Sequence, residues 1–266
     1  MLMLLSPAKN LDFSPVDGLP AATRPRLLTD TKSLSQATVK LRVGDLKRLM
    51  NISDKLAQLN FERFQTFKAG GRGAQKKHAA LAFNGDVYLG LDAKTLDGDT
   101  LKFAQDHLRI LSGLYGALRP LDAIEPYRLE MGTRVKTDRG ATLYDFWGDK
   151  VSVEINSALK GHDVPTVVNL ASNEYFSVVQ KDALKAEIVT PVFKEEKDGK
   201  LRQLQFFAKR ARGLMARWAL EHRITDHRDL RGFDVEGYRL NKTESSDDRW
   251  VFTRTQPAPK TPARKK

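Results

Sequence analysis

Residues 112–132 read SGLYGALRPLDAIEPYRLEMG, and no other stretch makes so many unusual demands on the backbone in so few positions. Gly113, Gly116 and Gly132 relax the chain, whereas Pro120 and Pro126 fix φ and remove amide donors. The spacing therefore predicts a shaped connection instead of a regular helix or strand. Tyr115, Arg119, Asp122, Glu125, Tyr127, Arg128 and Glu130 are set into that turn-rich path. Two readings stand side by side. The side chains line a cleft, since binding groups concentrate in loops held by a scaffold, or Arg119, Asp122, Arg128 and Glu130 pair with one another as a structural ion network.

Outward from this stretch, 266 residues with 41% hydrophobic content suffice for one large core or two modest ones. The formal charge of +12 favours a polyanionic partner, because cations facing phosphates release condensed counterions. Residues 254–266, RTQPAPKTPARKK, hold Arg254, Lys260, Arg264, Lys265 and Lys266 with no acid, and read as a Pro-rich disordered basic tail. The absence of cysteine excludes disulfides and thiolate chemistry. The opening MLMLL stops at Ser6-Pro7, too short for a membrane span and without a basic leader, so a cytoplasmic protein with no membrane partner is expected.

Leu2 to Leu5 reads as a buried strand, and Ser6 and Lys9 follow its end, where ligands of α/β sheets often sit. The S-x-x-K spacing lacks the S-D-N and K-T-G partners of acyl-transfer enzymes, so that chemistry is rejected. From Asp30 to Phe67 the apolar period is helical, with Gly44 parting the first helix from the second and Ser53 placed to cap the third. The loop 68–78, KAGGRGAQKKH, completes neither a P-loop nor a G-x-G-x-x-G, so no cofactor is expected, and it reads as solvated. Residues 83–88 alternate as a strand, and Asp99 is placed to cap a helix reaching His107.

Further on, 143–159 reads as one helix and Thr166 to Leu170 as a buried strand followed by polar Asn169, Ser172, Asn173 and Glu174, whose roles are capping or binding. Strands over 187–194 and 201–208 flank the turn Lys197-Asp198-Gly199. Lys209, Arg210 and Arg212 then fall at the start of a helix placed after Gly213, where cations are disfavoured unless an anion is bound. His222 and His227 lack a third ligand, so no metal site is expected. Residues 238–241 and 250–254 form a last hairpin.

Residues 45–57, DLKRLMNISDKLA, resemble a helix-hairpin-helix, the DNA-backbone clamp of many repair proteins. Asn51 and Ser53 stand where that motif usually has glycines; Asn tolerates a left-handed backbone and Ser can cap, while an ordinary helical hairpin is the alternative. Lys47, Arg48 and Lys55, with Asn51 and Ser53 in the turn, would contact phosphates.

In order along the chain, SPAK, FNGDVYLGL, SGLYG with LRPLD, PYRLEMG, FWGD, NLASNEY and KRARGLM resemble the signature blocks of the bacterial peroxide stress resistance protein YaaA family. That resemblance implies an α+β fold: a single mixed domain, 1–253, with a central sheet, surrounding helices and a helix-hairpin-helix at about 43–67. It also implies a positively charged cleft, backbone-directed binding of double-stranded or structured DNA, protection of DNA under hydrogen peroxide, and limitation of free iron.

The cleft candidates are Ser6, Lys9, Arg119, Tyr127, Arg128, Glu130, Asn169, Ser172, Lys209 and Arg212. A second reading is an enzyme acting on a nucleotide or damaged nucleic acid, with Glu130 or Glu174 as general base and Lys9 as electrophile or nucleophile. The sequence leaves the oligomeric state open, with a monomer as one possibility.

Overall fold

The computed structural model describes residues 1–258. Strand β1 (Leu2–Leu5) has no exposed surface, as its unbroken hydrophobicity predicts, and β2 (Asn10–Leu11) follows it. The helical period over 30–67 becomes α1 (Leu28–Thr38), α2 (Val43–Met50) and α3 (Asp54–Thr66). Gly44 lies inside the first turn of α2, not between helices. The buried stripe of α3 is Ala57, Asn60 and Phe64, which leaves Leu56 and Leu59 exposed.

Next come β3 (Lys77–His78), α4 (Ala79–Ala82) and β4 (Phe83–Asn84). The strand expected over 83–88 stops after two residues: Gly85 stays extended as the N-cap of α5 (Asp86–Leu91), whose Tyr88 turns back to donate to the Ser6 carbonyl at 3.0 Å. Helix α6 (Gly98–His107) is capped by Asp97, whose carboxylate accepts from the Thr100 amide at 2.7 Å, two residues before the expected Asp99.

Strand β5 (Leu108–Ser112) then enters the core, and the 112–132 connection carries only β6 (Gly116–Leu118) and β7 (Ala123–Ile124). The single helix expected over 143–159 is two, α7 (Leu143–Trp147) and α8 (Lys150–Ala158), parted at Gly148 with φ 50°. Then follow β8 (Thr166–Leu170), α9 (Asn173–Phe176), β9 (Glu187–Lys197) and β10 (Lys200–Arg202). The expected strand over 201–208 ends early, and α10 (Gln205–Glu221) runs through Gly213. Lys209, Arg210 and Arg212 therefore sit within the helix and not at its start, which removes the dipole conflict expected for them. Strands β11 (Arg239–Leu240) and β12 (Arg249–Thr255) make the closing antiparallel pair.

These elements form one mixed α/β domain around an eight-stranded sheet of order β11-β12-β9-β8-β1-β5-β6, with β10 joined to β9. Its centre is parallel: β1 lies between β5 and β8, and β9 follows β8. Within this sheet only β6, β10 and β11 run antiparallel, at the margins. The chain leaves β1 for β5 on one side and later returns to β8 on the other. That reversal falls at the carboxyl ends of β1 and β8, the place where open sheets of this kind receive ligands.

The expected tail boundary shifts. Arg254 and Thr255 belong to β12, and Arg254 is buried. Lys260, Arg264, Lys265 and Lys266 lie outside the described residues.

Candidate functional site

Ser6 and Ser172 meet across the reversal point. The Ser6 hydroxyl accepts from the Ser172 amide at 2.9 Å and donates to the Ser172 hydroxyl at 3.3 Å. Asn169, opposite Leu4 in the sheet, turns its side-chain oxygen to the Ala171 amide at 3.0 Å, which fixes the bend after β8. The far end of the 112–132 connection returns to the same place. Lys9 Nζ stands 2.7 Å from Glu130 Oε2, and Arg128 Nη2 stands 3.0 Å from Glu130 Oε1. One carboxylate is thus held between two cations, of which Lys9 is largely exposed and Arg128 is not. Arg128 Nε is buried without a hydrogen-bond partner among the described residues. Glu174 adds a further carboxylate and accepts from the Gly132 amide at 3.0 Å.

Other candidates are placed elsewhere. Strand β6 runs antiparallel and carries Arg119 away from the carboxyl ends. There its guanidinium pairs with fully buried Asp122 at 2.8 Å and donates to the Arg24 carbonyl at 2.9 Å. Arg119 is therefore part of a structural ion pair, the alternative reading of the connection. Tyr127 is core: its hydroxyl lies 2.6 Å from that of Ser112, and its ring packs against Tyr115 and Phe83. Burial raises its phenol well above the ordinary range. His222 bonds the Trp218 carbonyl and His227 stacks on Trp250. Among the described residues no group of three or more His, Asp or Glu could hold a metal.

Lys209 and Arg212 make no hydrogen bond or ion pair with the Ser6–Glu174 group. Their helix, α10, packs closely against α5. Gly85, just ahead of α5, approaches Ala8, and Val87 in α5 meets Gly213. Arg212 has no ion pair among the described residues, and burial lowers its pKa.

The hairpin has its own geometry. Asn51 ends α2 in the left-handed region, φ 49° and ψ 56°, and the Ile52 amide returns to the Lys47 carbonyl at 3.2 Å. Ser53 caps α3 by accepting from the Leu56 amide at 3.4 Å. Lys47, Arg48 and Lys55 surround this turn, all exposed. Lys47 pairs with Asp54 at 2.8 Å and Arg48 with Asp45 at 2.7 Å. The Asp45 carboxyl is held below its usual range, first by the Arg42 amide and then by Arg48. Both pairs are solvated and open to exchange for a phosphate.

The loop 68–76, expected to be solvated, is pinned at its start. Buried Glu125 accepts from the Lys68 amide at 2.8 Å and the Gly70 amide at 2.7 Å. Lys77 is buried as well and donates to the Ser14 carbonyl at 2.8 Å. Between this loop, α3 and Pro126 lies a cavity of about 590 Å³ bordered by Arg63, a residue that no pattern in the sequence singles out.

The fold and these surfaces define a basic, single-domain mixed α/β protein with a charged cluster at its strand reversal and a separate helical hairpin fringed with cations. The chain belongs to the peroxide stress protein YaaA family, whose model matches residues 1–244. Proteins named UPF0246 are similar over nearly all of their length. One from Maricaulis maris is 55% identical over 258 residues, 97% of each chain. One from Caulobacter vibrioides is 56% identical over 257 residues, 97% of this chain and 100% of the relative. One from Phenylobacterium zucineum is 54% identical over 267 aligned positions, 100% of this chain and 99% of the relative. Among the described residues no helix is long and apolar enough to cross a membrane.

Proposed function

We propose that this protein binds double-stranded or structured DNA through the phosphate backbone, with little regard to sequence, and that α2, the 51–53 turn and α3 act as a helix-hairpin-helix clamp. The supporting observation is the hairpin itself. Its left-handed Asn51 and Ser53 cap, which takes the Leu56 amide, leave the Asp54 and Lys55 amides at the start of α3 beside Lys47, Arg48 and Lys55. Unpaired first-turn amides and flanking cations are what a phosphate needs. The family's description as a peroxide stress protein supports placing this activity in the peroxide response; protection of DNA from oxidative damage and limitation of free iron are the roles we propose for it there. The cluster at the strand reversal, with Lys9 and Arg128, adds two cations outside the hairpin.

Sequence indifference is tested on unrelated duplexes of equal length at fixed salt. Dissociation constants within about threefold of each other are expected, since phosphate contacts carry no sequence information. A preference of a hundredfold for one sequence would refute the proposal.

Asp54 supplies a sharper check. Its carboxylate stands at the amide end of α3 and holds Lys47. Asp54→Asn removes a charge that repels phosphate and frees a cation, so DNA affinity should rise about threefold at low salt and the gain should shrink as salt is added. Unchanged or weaker binding by this variant would place the phosphate elsewhere.

A second reading, an enzyme acting on a nucleotide or damaged nucleic acid, draws on Glu130 between Lys9 and Arg128. The hydroxyls of Ser6 and Ser172 bond each other and not a carboxylate or imidazole, so the nucleophile–base pair of hydroxyl-based transfer is not assembled. Turnover of a nucleotide or lesion panel that disappears in Glu130→Gln would favour this reading.

A further inference from the structure

The cavity between α3 and the 68–76 loop has a composition unlike the rest of the cationic surface. Its walls are apolar at Phe13, Leu59, Phe67 and Pro126. Of the polar side chains that border it, Thr66 is bonded to the Glu62 carbonyl at 2.9 Å and Lys68 to the Arg72 carbonyl at 3.3 Å, so Arg63 and Gln75 are the groups placed to read a ligand. At about 590 Å³ the cavity falls within the usual range for a small-molecule site, roughly 300–1,000 Å³. Leu59 is one of the exposed large hydrophobic side chains of the described residues, and here it faces a hollow instead of a neighbouring helix.

Arg63 carries the argument. Its guanidinium is half-buried, has no carboxylate within 4.0 Å among the described residues, and is held only by a 3.5 Å hydrogen bond to Asn60. Burial holds it below the ordinary range. Gln75 makes no side-chain hydrogen bond among the described residues. The one acid in the walls, Glu125, has its oxygens occupied by the Lys68 and Gly70 amides. It braces the loop and leaves the depth of the cavity unsuited to an anion. A flat ligand with an apolar face and hydrogen-bonding edges meets these conditions, with its negative charge kept toward Lys68 in the cavity wall.

The geometry points to a pocket for a single nucleobase turned out of DNA, stacked against Phe13 or Phe67 and read on its edge by Arg63 and Gln75. This rests on the DNA-binding reading above and deepens it. Leu59 lies six residues along α3 from Ser53, about 9 Å at 1.5 Å per residue. DNA phosphates in one strand are spaced about 3.4 Å along the axis. A backbone seated on the hairpin amides is therefore within about three nucleotides of the cavity mouth. Turning a base out of a stack costs least where it is already unpaired, so the pocket should favour DNA carrying an extrahelical base.

The test uses the full chain and three duplexes of one sequence: fully paired, with one bulged thymine, and with a bulged tetrahydrofuran abasic residue at the same place. The bulged thymine should bind about tenfold tighter than the abasic bulge. Ala74→Trp, which fills the cavity from the loop, and Leu59→Trp, at an exposed helix position that tolerates bulk, should each erase that difference and leave the paired duplex unaffected. Equal affinity for the two bulges alongside good binding of the paired duplex would overturn the pocket and leave the hairpin reading standing. A thymine preference that survives both variants would overturn its location. If none of the three duplexes binds, the DNA-binding reading and the pocket fall together.

Discussion

Gly213→Ala should cost this protein about 3 kcal/mol or more and lower its melting temperature by about 10 °C, from one added methyl group. A Cβ at 213 would lie 1.8 Å from the Val87 carbonyl oxygen and 2.8 Å from the Leu91 amide, both backbone atoms that cannot rotate away. The contact is reciprocal, since a Cβ at Gly90 would meet the Arg210 carbonyl oxygen at 2.2 Å. Neither glycine has a positive φ. Alanine would be the better helix former by about 1 kcal/mol, so the loss must come from forcing α5 and α10 apart. Gly44, also helical but with nothing within 4 Å of its added Cβ, is the control: Gly44→Ala should be neutral or slightly stabilising. Thermal unfolding of the two variants decides the matter. Because α5 also carries Tyr88 against the Ser6 carbonyl, separation of these helices would reach the end of β1.

Arg254→Ala should cost about 3–5 kcal/mol, the range for leaving a buried charge without its partner. The Arg254 guanidinium lies 3.7 Å from Glu195 and 3.0 Å from Glu236, and its face covers Tyr238 at 4.3 Å. The Glu195 side chain is fully buried, with the Tyr238 hydroxyl donating to it. Without Arg254 that carboxylate would remain in the core with neutral donors alone. Neutralising it should restore part of the loss, so Glu195→Gln combined with Arg254→Ala should be more stable than Arg254→Ala alone. A melting temperature for Arg254→Ala within 1–2 °C of the parent would show that the pair contributes little.

These two positions also show how far the sequence can be read. Hydrophobic continuity identifies β1 and β8, and a three- and four-residue period identifies α1 to α3, because burial writes those patterns directly. Gly213 reads wrongly as a helix boundary, because a glycine that ends a helix and one that lets two backbones touch look alike in a single chain. Arg254 reads both as the end of the last strand, which β12 bears out, and as the start of the tail, because its neighbours on the C-terminal side are prolines and cations, whereas its partners, Glu195 and Glu236, are remote in sequence.

The cluster at the strand reversal is partly legible. Ser6, Lys9 and Ser172 follow strand ends, and the topology brings two of those ends together. Arg119 cannot be told from Arg128 by sequence, because each stands near an acid, and only the direction of β6 separates them. Arg63 and Glu125 carry less signal still: a helix arginine and a loop glutamate acquire meaning from the cavity they border.

The hairpin is most directly tested by the salt dependence of duplex binding, compared between the parent and a Lys47→Ala, Arg48→Ala, Lys55→Ala variant. If these cations neutralise about three phosphates, the slope of log affinity against log salt should become shallower by about 2.7, at roughly 0.9 per contact, with folding unchanged. A triple variant that binds duplex DNA with the parent's affinity and the parent's slope would contradict the hairpin as the place where DNA is held.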